Sequence, residues 1–202
     1  MADPIQDLAS LFLRFPGIGR RQAKRFVYHL LESGPVENDK IIAAIKNLKS
    51  QVSECNSCHR FYLNRGLSAE VCDLCSALNR DASLLMIVEK DADLDNIEKI
   101  GAYRGRYFVL GGLSSFIPEE EAPLRTAELV NKLKSAPEIK EVVLALSVNA
   151  EGDHTVNLLE DLLRPFQTSG LKVSHLGRGL SHGSELEYID PETLKNALEH
   201  RV

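Results

Sequence analysis

Four cysteines set in two pairs, Cys55-x2-Cys58 and Cys72-x2-Cys75 with thirteen residues between the pairs, constrain this chain more than any other feature. They are its only cysteines. Each pair can clamp one side of a tetrahedral metal, and the intervening loop lets the pairs converge. Four thiolates leave no open coordination position, so the expected site is closed and structural. Zinc is the expected metal, one ion per chain, because it has no redox chemistry and accepts a sulfur-rich tetrahedron. An iron–sulfur cluster or two separate redox pairs are the alternatives. A module this short cannot bury a core, so metal binding supplies its folding energy. His59, next to Cys58, is surplus once four sulfurs are counted and is expected at the surface or beside the ligands. Disulfides are not expected. The start Met1-Ala2-Asp3-Pro4-Ile5-Gln6-Asp7 lacks the basic and apolar stretches of a signal peptide, which points to the cytoplasm. No apolar run approaches the ~20 residues of a membrane span.

The net charge of −5 argues at first against a nucleic-acid partner. Counting by segment changes this. Residues 1–54 carry +2 (eight Lys/Arg, six Asp/Glu) and residues 55–80 carry +1 (three against two). Residues 81–202 carry −8 (13 against 21). From Arg14 to Arg25 there are five basic residues and no acidic one. An acidic body therefore carries a basic head.

Hydrophobic spacing predicts a helix around Leu8, Leu11 and Phe12 and a second from about Arg20 to Glu32. Gly34-Pro35 ends the second, and Ile41, Ile45, Leu48 and Val52 mark a third. The cysteine segment has no periodicity. Beyond it strands and helices alternate: strands at Leu84–Val88, Tyr107–Leu110, Val142–Leu146 and Lys172–Leu176, and helices at Asp93–Ile100, Glu119–Ser135, Thr155–Phe166 and Pro191–His200. Apolar strands separated by helices predict a parallel sheet covered on both faces. The expected fold class is multidomain α+β. Its expected parts are a helical domain over 1–53, a four-cysteine module over 54–77, an α/β domain over 78–176 and a strand/helix assembly segment over 177–202.

Between the first two helices lies Pro16-Gly17-Ile18-Gly19, followed at once by Arg20, Arg21, Lys24 and Arg25. Gly17 and Gly19 leave the backbone uncovered, so the N–H groups opening the second helix can approach an anion closely. The four basic side chains can neutralise flanking phosphates. None of these contacts reads a base, so backbone affinity with a clear salt dependence is expected. The arrangement resembles the helix-hairpin-helix DNA-binding motif; a plain helix-packing corner is the alternative. Arg60 and Arg65 could touch nucleic acid from the cysteine loop, though a solvated loop is the simpler reading.

The first body strand ends in Glu89, and the third runs into Ser147-Val148-Asn149-Ala150-Glu151-Gly152-Asp153. This resembles the Toprim fold, where an acidic set holds magnesium for phosphoryl transfer. Here the two aspartate positions of the pattern are Ser147 and Asn149, while Glu151 and Gly152 fit it and Asp153 is acidic. Neutral replacements should sharply weaken a catalytic ion. No nucleophile has a base beside it, no tyrosine is placed for strand cleavage, and Val109-Leu110-Gly111-Gly112-Leu113 lacks a Walker A ending.

The whole order, with Phe15-Pro-Gly-Ile-Gly19, Val71-Cys-Asp-Leu-Cys75, Val88-Glu89, Gly101-Ala-Tyr-Arg-Gly105, Val109-Leu-Gly-Gly112, Glu151-Gly152, Arg178-Gly-Leu180 and Leu186-Glu-Tyr188, resembles the RecR family of bacterial recombination mediators from about Ile5 to Arg201. That resemblance implies a non-enzymatic DNA-repair protein that assembles into ring-like tetramers, or dimers, and works with RecO and in many bacteria RecF to load RecA on gapped single-stranded DNA. It implies Arg21 and Arg25 as DNA contacts, Cys55, Cys58, Cys72 and Cys75 as zinc ligands, and Glu151, with Glu89 and Asp153, as a partner-binding acidic set. It also implies a cytoplasmic, nucleoid-associated protein. The chain departs from the family at Leu113–Glu121, at Ser147-Val148-Asn149 and at Gly183-Ser184-Glu185, which mark a divergent member. A magnesium-dependent Toprim enzyme and a protein-binding scaffold without DNA are the alternative functions.

Overall fold

The computed structural model describes residues 3–64, 70–115, 124–177, 180, 183, 185–188 and 191–199. Arg65, Arg178, Gly179, Ser184, Arg201 and the stretch 116–123 lie outside the described residues. The chain divides into two compact units, Met1–Ser53 with Leu63–Arg65, and Glu54–Tyr62 with Gly66–Val202.

The first unit contains three helices, α1 (Pro4–Phe12), α2 (Arg20–Glu32) and α3 (Pro35–Gln51). Asp3 caps α1, its side chain accepting from the Ile5 N–H at 3.0 Å. Helices α1 and α2 close on a small core of Ala9, Ala23 and Val27, with Ile5, Leu8, Phe12 and Ile18 packed against it. The small alanines allow the close approach. Gly34 and Pro35 do more than stop α2: they are the N-cap and first residue of α3. Helix α3 buries none of its residues within this unit.

The cysteine segment folds into β1 (Val52–Glu54, its first two residues in the first unit), β2 (Phe61–Leu63, its last residue in the first unit) and, in the second unit, the short α4 (Asp73–Ser76). Strands β1 and β2 pair with each other. The remainder is β3 (Asp81–Val88), α5 (Asp91–Ile100), β4 (Gly105–Val109), α6 (Thr126–Ser135), β5 (Glu141–Ala145), α7 (Ala150–Gln167), β6 (Lys172–His175), a short 3-10 turn (Leu186–Tyr188) and α8 (Pro191–Glu199). The sheet is parallel in the order β4-β3-β5-β6. Helix α6 begins at Thr126, later than the spacing predicts, because Leu124 and Arg125 are not helical.

Alternate strand residues serve opposite faces. Leu85, Ile87, Phe108, Leu110, Val142 and Leu144 pack with Leu129 and Leu133 of α6 and Leu159 and Leu163 of α7. Met86, Val88, Tyr107, Val109 and Ala145 pack with Leu94 of α5. Both faces are therefore apolar, which is why these strands lack a polar alternation. A polar latch closes one end: Arg80 pairs with Glu98 and donates to the Gly105 carbonyl at 2.8 Å, and the Tyr107 hydroxyl donates to Glu98 at 2.5 Å.

Candidate functional site

Three groups of residues were singled out by sequence, and the structure treats them differently. The sulfurs of Cys55, Cys58, Cys72 and Cys75 all lie within 4.8 Å of one another. The Cys58 and Cys72 sulfurs are 3.6 Å apart, close to the ~3.8 Å edge of a tetrahedron with ~2.3 Å metal–sulfur bonds and far from a covalent S–S bond. Each pair sits on a tight turn. The Cys55 N–H donates to the Arg60 carbonyl and the His59 N–H to the Cys55 carbonyl, both at 2.9 Å, with His59 in a left-handed conformation at φ 62°. The second pair opens α4, whose Ser76 N–H donates to the Cys72 carbonyl at 3.0 Å. The Asn56 N–H donates to the Glu70 carbonyl at 3.0 Å and ties the two turns together.

The Cys55 sulfur accepts from the Ser57 N–H at 3.4 Å and the Cys72 N–H at 3.2 Å, the donors a thiolate prefers. Hydrogen bonds from Cys58, Cys72 and Cys75 hold the Cys55 thiol far below the ordinary range. The bond to Cys55 first, then that to Cys72, and then burial push Cys58 and Cys75 well above it. Against the bond to Cys55, which raises it, bonds from Cys58 and Cys75 bring Cys72 down to about 7, so two sulfurs ionise at the expense of the other two; four thiolates together require a cation among them. Donor type, spacing and burial all fit a metal ion. His59 is not among the ligands: its Nδ1 lies 2.9 Å from Glu54 Oε1 and its ring meets Phe108 edge-on at 5.2 Å.

Arg20, Arg21, Lys24 and Arg25 are all exposed on the first turns of α2. Arg20, Arg21 and Lys24 surround one cleft of about 400 Å³ with Gln6, Ala9 and Leu13 of the first helix and its end. Arg25 faces a neighbouring cleft with Gln22, Phe26 and His29. Gly17 has φ +76°, which favours glycine, and nothing lies within 4 Å of where a Cβ would stand at Gly17 or Gly19. The backbone at the start of α2 is therefore approachable, and a helix's first N–H groups have no acceptor within the helix. Arg60 instead pairs with Asp73 at 3.6 Å.

The acidic set stands where β3 ends and α7 begins. Glu89 stands at the end of β3, its Oε2 accepting from the Ser147 hydroxyl at 2.6 Å and its Oε1 paired with Lys90 at 3.1 Å. Glu151 is exposed and Asp153 half-buried in the first turn of α7. Asn149 caps that helix, accepting from the Gly152 N–H at 2.8 Å. Among the described residues the four cysteines form the one group of three or more His, Cys, Asp or Glu side chains that could hold a metal. Glu89, Glu151 and Asp153 are not among them.

Sequence reading missed the ties that fasten the cysteine turns to the α/β body. These are Glu54 with Arg125 at 3.2 Å, Lys132 with Ser57 at 2.8 Å, and the Phe61 N–H donating to Asp91 at 2.7 Å. They join residues 30 to 75 positions apart, where no local pattern could signal them.

Comparison with known families matches residues 83–177 to the Toprim domain and residues 179–202 to "RecR, C-terminal". The recombination protein RecR of Chloroflexus aggregans is 37% identical over 205 residues, covering 100% of this chain and 94% of its own length. That of Mycolicibacterium smegmatis is 36% identical, covering 98% and 96%, and that of Lactobacillus acidophilus is 33% identical, also covering 98% and 96%.

Proposed function

We propose, for a chain that belongs to the RecR family of recombination proteins, a non-enzymatic role in DNA recombination and repair, exercised by gripping the DNA backbone. The observation that carries this is the exposed basic start of α2, where Arg20, Arg21, Lys24 and Arg25 surround an open glycine turn in a compact unit of its own. Phosphates are the natural partners of such a surface. The four working parts are the helical domain over 1–53, the cysteine module over 54–77 with one structural Zn²⁺ on Cys55, Cys58, Cys72 and Cys75, the Toprim domain over 78–176, and an assembly segment over 177–202. The Toprim domain supplies no metal cage for phosphoryl transfer, since Ser147 and Asn149 bring a hydroxyl and an amide where that chemistry needs carboxylates.

One basic patch per chain is small, so several copies acting together would raise affinity by multivalency. Helix α3 supports assembly: it leaves Val36, Ile42, Ile45 and Leu48 between 50% and 69% exposed and buries nothing. A dimer or ring-like tetramer would turn the basic heads onto gapped or junction DNA and leave the acidic bodies, with Glu89, Glu151 and Asp153, for RecO and RecF during RecA loading. Its place of work is then the cytoplasm at the nucleoid; no helix among the described residues is long and apolar enough to cross a membrane.

The test is titration of gapped DNA with light scattering to follow mass, comparing the parent with the Arg21→Ala/Arg25→Ala double variant. Binding should weaken, and the slope of log affinity against log salt should fall by about 2, near one per lost phosphate contact. Unchanged retention at low salt would favour the protein-binding scaffold. Magnesium-dependent turnover of DNA that disappears in Glu89→Gln would overturn the non-enzymatic reading.

A further inference from the structure

Among the described residues strand β4 ends the sheet on one side, with no strand beside its outer edge. In a parallel strand the N–H and C=O of one residue point the same way. The Leu110 N–H donates to the Val88 carbonyl at 2.8 Å, so the amide groups of Val109 face away from β3. They are nevertheless satisfied. The Val109 N–H donates to the carbonyl of Cys58 at 2.8 Å, and the Val109 carbonyl accepts from Arg125 Nη1 at 3.3 Å. Arg125 is itself held by Glu54 at 3.2 Å. A residue of the cysteine centre thus completes the edge of the sheet.

The turn that presents Cys58 is fixed by a half-buried side chain of α6. Lys132 Nζ donates to both the carbonyl and the hydroxyl of Ser57, each at 2.8 Å. Withdrawing an ammonium from water is costly and needs a compensating charge. Burial pulls Lys132 below the ordinary lysine range, while Cys75, Cys58 and Cys55 act in the opposite direction. A divalent ion with four thiolates carries two excess negative charges, a natural counterpart for that ammonium. Groups that surround a metal site without touching the metal typically change its affinity 10- to 100-fold, by order of magnitude.

We infer that Lys132 is the positioning cation of the cysteine centre: it balances the charge of the loaded site and fixes the Ser57–Cys58 turn so that Cys58 covers the edge of β4. Metal occupancy and stability of the Toprim sheet are then one linked quantity. The inference rests on reading the four cysteines as a metal centre, and is independent of DNA binding.

The experiment compares the full chain with Lys132→Met, Lys132→Gln and Lys132→Arg, each loaded with Zn²⁺. Three readouts apply: the rate of Zn²⁺ release to a chromogenic chelator, the melting temperature before and after stripping under reducing conditions, and hydrogen exchange at the Val109 amide. Lys132→Met and Lys132→Gln should release Zn²⁺ about tenfold faster and melt lower when loaded, whereas Lys132→Arg stays near the parent. Stripping should speed exchange at Val109 and bring all four chains to similar melting temperatures. Parent-like release from both neutral variants overturns the inference, as does a destabilisation that persists unchanged after stripping, since that marks ordinary packing. Should Lys132→Met fail to fold, Lys132→Gln, which keeps a donor but not the charge, decides alone. A parent chain that takes up no Zn²⁺ overturns the metal-centre reading and this inference with it.

Discussion

The Ser147 hydroxyl donates to Glu89 across the ends of neighbouring strands, with 2.6 Å between Oγ and Oε2. Strand ends flanking a change in strand order are where parallel sheets place their ligands. Here Ser147 and Lys90 satisfy the carboxylate from within the chain. An aspartate at 147 could not donate, and would set two negative charges face to face. Ser147→Ala should therefore cost about 1 kcal/mol, read by urea unfolding. Ser147→Asp should be destabilised until millimolar Mg²⁺ is added, and its melting temperature should then rise. A parent protein whose melting temperature rises equally with Mg²⁺ would contradict this account of the site.

Two glycines limit the body for different reasons. A Cβ on Gly152 would stand 1.8 Å from the Ser147 carbonyl oxygen, a backbone atom that cannot swing away. Gly152→Ala should cost about 3 kcal/mol or prevent folding. Gly101 has open space around it but closes α5 in the left-handed conformation at φ +68°. Gly101→Ala should cost only about 1 kcal/mol. Equal losses in chemical denaturation would refute the distinction.

Acid should loosen the sheet from the ends of its strands opposite Glu89. Bonds from Ser174 and Lys172 hold Glu141 below the ordinary carboxylate range, and bonds from Ser83 do the same for Asp81. A carboxylate whose folded pKa lies below its unfolded value stabilises fully above the unfolded value, near pH 4. That contribution fades as the pH falls through the lower folded value. Glu141→Gln should lower the melting temperature at neutral pH and flatten its decline below about pH 4. A parallel decline in parent and variant would show that Glu141 takes no part.

Ile45 is 57% exposed on a helix that buries nothing in its own unit. Changing such a residue in a free monomer should matter by less than about 0.5 kcal/mol. If α3 is covered by another copy, Ile45→Glu should reduce the mass seen by light scattering while the circular dichroism spectrum stays unchanged. An undiminished mass would direct the search for the assembly surface elsewhere.

What the sequence discloses follows from where each structural cause resides. The limits of α2 were legible because a glycine turn precedes it and Ser33-Gly34-Pro35 follows it. The gathering of the four cysteines was legible because a paired spacing of this kind lets the pairs converge. Strands β1 and β2 and the turn α4 were not, since three- and four-residue elements carry no period. Glu89 and Ser147 were each noticed, but their bond was not, because strand order and not chain order makes them neighbours. The same holds for Lys132 and Ser57, 75 residues apart.

The bond from Val109 to Cys58 also has a direction in time. Synthesis delivers residues 54–77 well before β4 exists, and a site that binds metal through nearby residues can form as soon as its last ligand emerges. If the module takes up the metal proposed for it, it offers the Cys58 carbonyl as a waiting acceptor when Val109 appears, and β4 docks against something already rigid. In a cell starved of metal, the same strand would be completed with an open flank, the kind of surface through which nascent sheets adhere to one another.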